Sequence, residues 1–146
     1  MAGFRLSEWI ARRPEDVFLF AANLDNAPKW INGVVRAEKL TDGPIRVGTR
    51  FRETRRFGKS EHSVEIEVLA HEPPRIHAAG GKFPGGQAVY RYTFTPERNG
   101  TRVEMQAEVR GRGLGWLMVP LMIAAMKKTD GDHLTALKRN VESTAN

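Results

Sequence analysis

Apolar and polar positions alternate with one period at the start of the chain, another through its middle and a third at its end. Phe4, Leu6 and Ile10 share one parity with Glu8 between them, which predicts a first strand over residues 4–11. Pro14, Glu15 and Asp16 then start a helix, because proline suits the first turn and carboxylates suit the positive end of the helix dipole. Val17, Phe18, Phe20 and Ala21 supply its apolar stripe, and Asn23 can end it. A second short helix follows from about Asp25, with Trp30 and Ile31 apolar and Gly33 closing it.

From Val34 to Arg110 the period becomes two. Strands are predicted over Val34–Thr41, Val47–Phe57, a segment with Val64, Ile66, Val68 and Ala70 on one side, Arg75–Ala79, Ala88–Phe94 and a last one carrying Val103, Met105, Ala107 and Val109. Thr41-Asp42-Gly43-Pro44, Gly58-Lys59, Pro73-Pro74 and Asn99-Gly100 separate them as turns. The run from Gly80-Gly81 to Gly85-Gly86 reads as a flexible loop around Phe83 and Pro84, suited to a lid. The closing segment, about Leu114 to Ser143, is one long helix or a helix bent at Pro120. Its core-facing stripe is Leu114, Leu117, Leu121, Ala124, Leu134, Leu137 and Val141, widened by Met118, Met122, Ile123 and Met126. The class is α+β: an antiparallel sheet of about six or seven strands folded over the last helix, with two short helices after the first strand. Such an arrangement tends to enclose a cavity.

Length and charge set outer limits. A chain of 146 residues fits one domain, residues 1–146, and folding at that size buries roughly two-thirds of the unfolded surface. With 40% hydrophobic and 27% charged residues it has the composition of an ordinary globular protein. Cysteine is absent, which removes disulfides, thiolate metal sites and cysteine nucleophiles and makes a reducing compartment the natural home. The N-terminal residues do not read as a signal peptide, so the cytoplasm is the expected location. Gly115–Met126 is apolar but only twelve residues long, against about 20 for a membrane span. The net charge of +6 raises the question of nucleic acid. The cations are dispersed, however: Arg50, Arg52 and Arg56 on one strand parity, Arg12 and Arg13 before a helix, Lys127, Lys128, Lys138 and Arg139 on the last helix. No stacking platform, helix-turn-helix or zinc pattern accompanies them, so a solvated basic surface is favoured over a nucleic-acid partner.

Four polar residues fall on inward parities: Glu8, Glu53, Arg55 and His62. A charge in a filled core costs several kcal/mol unless paired, so these residues meet each other or a solvated cavity. Glu53 and Arg55, two apart on one strand face, could form a structural ion pair or polarise a ligand; His62, at a strand start, could equally be exposed. Tyr90 and Tyr92 are candidates for pocket lining, each with an apolar body and a hydroxyl that needs a partner when buried. Phe51, Phe57, Phe94, Trp30, Met105, Leu121 and Met122 would complete an apolar binding site, although core packing is an open alternative for Trp30 and the methionines. His71, His77 and His133 are scattered without metal-ligand spacing, and no nucleophile elbow or phosphate loop appears, so neither a metal nor a cofactor is expected.

Taken in succession, Pro14-Glu15-Asp16-Val17-Phe18, Asn26-Ala27-Pro28-Lys29-Trp30-Ile31, Val47-Gly48-Thr49-Arg50, Glu72-Pro73-Pro74-Arg75 and Gly100-Thr101-Arg102-Val103 resemble the polyketide cyclase/dehydrase and lipid-transport family. This is the START-like, pollen-allergen-like SRPBCC superfamily, and the resemblance covers nearly the whole chain. It implies a helix-grip fold, a curved sheet wrapped around the C-terminal helix with a hydrophobic cavity between. The superfamily includes carriers, cyclases, hydroxylase domains and regulatory proteins and has no universal catalytic motif. The expected function is binding or transport of a hydrophobic small molecule, lipid-like or polycyclic. The alternative is a cyclase or dehydratase acting on a polyketide-like substrate through Glu53, Arg55 or His62. A third reading is a regulatory protein that binds another protein through the apolar segment Leu114–Met126, and the same helix offers a route to oligomers.

Overall fold

The computed structural model describes residues 2–143, and in it the seven strands form one antiparallel sheet. The elements run β1 (Ala2–Ile10), α1 (Pro14–Ala22), a 3-10 turn (Leu24–Asn26), α2 (Ala27–Trp30), β2 (Val34–Lys39), β3 (Arg50–Phe57) and β4 (Ser60–Glu72). They continue with β5 (Ile76–Phe83), β6 (Gly86–Glu97), β7 (Gly100–Gly111), a second 3-10 turn (Gly113–Met118), α3 (Val119–Asp130) and α4 (His133–Ser143). The order across the sheet is β1-β7-β6-β5-β4-β3-β2, so the first two strands lie at opposite edges and α1 and α2 carry the chain between them. Met1 and residues 144–146, which the expected domain includes, lie outside the described residues.

The core sits between one end of the sheet and α4. Ile10 of β1, Val17 and Phe18 of α1, Phe94 of β6, Val103 and Met105 of β7, and Leu134, Leu137 and Val141 of α4 form its centre. Leu137 is fully buried, a placement that stabilises by about 1.5–3 kcal/mol over leaving it in water. The α4 half of the predicted stripe therefore faces the core. The other half does not: Leu114, Leu117 and Leu121 are exposed. Pro120 lies in the first turn of α3, where its missing N–H costs nothing, and the interruption falls at Gly131-Asp132 instead. A 3.6-residue count carried back from Leu134 crosses that break and then a 3-10 turn, and so loses its phase.

The expected glycine loop is a strand. β5 runs through Gly80 and Gly81 to Phe83, and only Pro84 and Gly85 separate it from β6. A Cβ on Gly80 would stand 2.9 Å from the Ala88 carbonyl oxygen, so glycine here allows close strand approach rather than motion. On the outer face, Arg50, Arg52 and Arg56 stand opposite Glu67, Glu65 and Glu61 of β4, which turns two charge runs into one cross-strand ladder.

Candidate functional site

Away from the core the sheet curves off the helices and leaves a cavity of about 400 Å³. The inner row of β6 grades from one region to the other. Phe94 packs in the core against Phe18, Tyr92 is buried at the boundary, and Tyr90 reaches the cavity wall. Phe51 of β3, Val64 and Ile66 of β4, and Met126 of α3 form the apolar wall, with Trp30 of α2 across from the sheet.

One end of the cavity is charged. Arg55 Nε donates to Glu53 Oε1 at 2.9 Å, and another guanidinium nitrogen lies 3.9 Å from Asp130 Oδ1. The Tyr90 hydroxyl donates to Asp130 Oδ2 at 2.5 Å. Glu53 and Asp130 are almost fully buried, so two carboxylates share one guanidinium in a region of low dielectric. Asp130 also ends α3, where the helix dipole disfavours a carboxylate; Arg55 and Tyr90 supply the opposing interactions. Burial pulls the Arg55 proton affinity down, but Glu53 and Asp130 outweigh it and leave the guanidinium more basic than usual. The Tyr90 phenol is pushed well up, first by burial and then by Asp130.

Beside this cluster the Tyr92 hydroxyl and His133 Nε2 share a hydrogen bond of 2.7 Å. Burial, followed by the nearby Arg55 charge, holds His133 down to about 3, so its imidazole is neutral at physiological pH. The Trp30 ring leans on it at 4.5 Å between centroids, and Trp30 Nε1 and His133 Nδ1 are both buried without a hydrogen-bond partner. His71 and His77 are not scattered either. They face each other across β4 and β5 with their Nδ1 atoms 3.1 Å apart, and burial holds His77 down to about 4. Among the described residues no group of three or more histidines and acids is placed to hold a metal ion.

The cavity thus takes in Trp30, Phe51, Tyr90, Tyr92, Glu53 and Arg55. Phe94 and Met105 stand in the core behind it, Leu121 is exposed on the far side of α3, and Met122 is half-buried outside the wall. His62 is exposed on β4 opposite Arg55, and Glu8 is half-buried on β1, remote from the cluster. Asp130 and His133 are the residues that sequence reasoning missed. The available signal was Gly131 between a Lys-Lys pair and the α4 stripe, which ends one helix and starts another with a polar residue on each side.

The sequence matches the family described as polyketide cyclase / dehydrase and lipid transport over residues 1–142. No curated protein matches the chain. Among solved structures, protein TTHA0849 from Thermus thermophilus superposes with a TM-score of 0.77 at 19% identity, covering 99% of this chain and 100% of that one. Ara h 8.0201 gives 0.77 at 15% identity, covering 98% and 99%. The di-domain ARO/CYC BexL from the BE-7585A biosynthetic pathway gives 0.79 at 16% identity, covering 97% of this chain and 47% of its own. At these identities the likeness is one of fold, the helix grip.

Proposed function

Because the chain belongs to the polyketide cyclase / dehydrase and lipid transport family, we propose that it binds or transports a hydrophobic small molecule, lipid-like or polycyclic, in its cavity. The observation that carries this reading is the cavity itself: about 400 Å³ of space with mostly apolar walls and a few polar groups gathered at one end. That volume and that distribution suit a small ligand whose body is apolar and whose polar substituent lies near Arg55 and Tyr90. A cytoplasmic setting fits a chain without cysteine. The test is displacement of an environment-sensitive apolar dye. Wild-type protein should bind the dye, and Ala88→Leu and Ala125→Phe, whose added side-chain volume takes up cavity space, should each weaken binding at least about tenfold. Equal binding by all three proteins would place the dye elsewhere and remove the support.

A second reading, a cyclase or dehydratase, is favoured by one observation, the Glu53-Arg55-Asp130-Tyr90 cluster at the cavity end. Arg55 could polarise a carbonyl there, and a carboxylate could take a proton. His62 is outside the cavity and takes no part in this version. Turnover of a polyketide-like substrate lost in Glu53→Gln and Arg55→Met but kept in His62→Ala would support it. Unchanged turnover in all three would end it.

A further inference from the structure

We propose that the 3-10 turn Gly113–Met118 and the outer face of α3 form a docking surface for an anionic lipid bilayer. Leu114, Trp116, Leu117, Met118 and Leu121 are 82, 62, 58, 54 and 66% exposed and follow one another along the chain. Large apolar side chains gathered this way on a surface mark an interaction site rather than random exposure. The backbone explains why they point outward. The turn is seated on the β5–β6 hairpin through its main chain: Arg112 N–H donates to the Gly85 carbonyl at 2.7 Å, and Gly115 packs directly on Gly85. With the backbone held this way, its large side chains are left more than half exposed.

Charge decides between occupants. From Gly111 to Thr129 the sequence holds three cations, Arg112, Lys127 and Lys128, and no acid, while Arg110 just before it pairs with Glu108. Lys127 and Lys128 are exposed, and helical spacing sets Lys128 on the same outer face as Leu121, one pair of turns away. A second copy related by a two-fold axis would bring these cations towards their own equivalents, with no acid in the segment to answer them. A bilayer rich in anionic headgroups answers both features at once, with Trp116 and the leucines below the headgroups and the lysines among them. α3 also lines the cavity, through Ala125, Met126 and Thr129, and Ala125 lies one turn from Leu121, so a docked bilayer would adjoin the cavity wall. The docking surface stands on its own residues whether or not the cavity holds a ligand.

The test is flotation of the full chain with vesicles of phosphatidylcholine alone or with about 30% phosphatidylserine, matching an anionic leaflet. The protein should float with the anionic vesicles and at least about tenfold less with the neutral ones, and about 0.5 M salt should release it. Lys127→Gln and Lys128→Gln should each weaken binding about fivefold. Trp116→Ser and Leu121→Ser should abolish flotation while leaving the thermal midpoint unchanged, because both side chains are exposed. Absence of flotation with either vesicle overturns the proposal. So does a solution dimer that Leu121→Ser splits, since a second copy would then cover the face.

Discussion

Replacing Arg55 by methionine probes the electrostatics of the cavity end most sharply. The guanidinium is the shared partner of Glu53, at 2.9 Å, and Asp130, at 3.9 Å, and the two carboxylate side chains are only 6 and 1% exposed. Methionine keeps most of the side-chain volume and removes the charge, which leaves two buried acids facing each other. Removing one partner of a buried ion pair costs about 3–5 kcal/mol. Tyr90 still serves Asp130, and the cavity side admits some water, so the low end, about 3 kcal/mol, is expected. For a chain of this length that loss lowers the melting midpoint by about 10 °C. Once the cation is gone, His133, which Arg55 helps to hold down, protonates more readily in the folded state, so the variant loses less stability in acid than wild type does. The gap between variant and wild type should therefore be widest near about pH 7 and narrow towards about pH 4. Paired thermal melts followed by circular dichroism, with Arg55→Lys as the charge-retaining control, measure it. A midpoint within about 2 °C of wild type, or a gap that widens in acid, would refute the reasoning.

Three further outcomes follow from other contacts. Tyr92→Phe removes the partner of His133 Nε2, whose ring already has an unpartnered Nδ1, and should cost about 1–3 kcal/mol in urea unfolding; adding His133→Leu should recover part of it. Wild-type stability should fall in acid. His77 and His133 have folded affinities of about 4 and about 3, below the ordinary histidine value of 6.5. The unfolded chain therefore takes up protons first, and stability is lost progressively as pH drops from about 6.5 to about 3. His77→Phe should flatten that slope, and an unchanged slope would mean that the histidine is not buried in solution. Gly80→Ala places a Cβ 2.9 Å from the Ala88 carbonyl oxygen and should destabilise by about 1–3 kcal/mol, whereas a mobile lid would accept alanine without loss.

Much of the fold is legible in period alone. The alternation of Val103, Met105, Ala107 and Val109, or of Val64, Ile66 and Val68, states which face is inward without any neighbour being known. Pro14 with Glu15 and Asp16 likewise marks the start of α1. The site is legible only by half. Glu53 and Arg55 betray themselves as charges on an apolar parity, and their pairing is local to one strand. Asp130 and His133 reach the same cavity through a helix break at Gly131, and nothing in the spacing of one strand says which helix residue will face it. The ladder between Arg50, Arg52, Arg56 and the β4 glutamates is a matter of register, set by the turn at Gly58-Lys59. Gly80 and Gly81 show the reverse ambiguity, since the same residue serves a flexible loop and a crowded sheet, and only the neighbouring strands decide. The exposed leucines before α3 obey a helical count that a 3-10 turn interrupts.

Native mass spectrometry of gently purified protein, followed by denaturing extraction and identification of what is released, tests the cavity reading most directly. The account predicts a retained or readily added apolar compound, bound one per chain and lost on Ala88→Leu. Protein that stays empty when offered a panel of lipids and polycyclic compounds would contradict it.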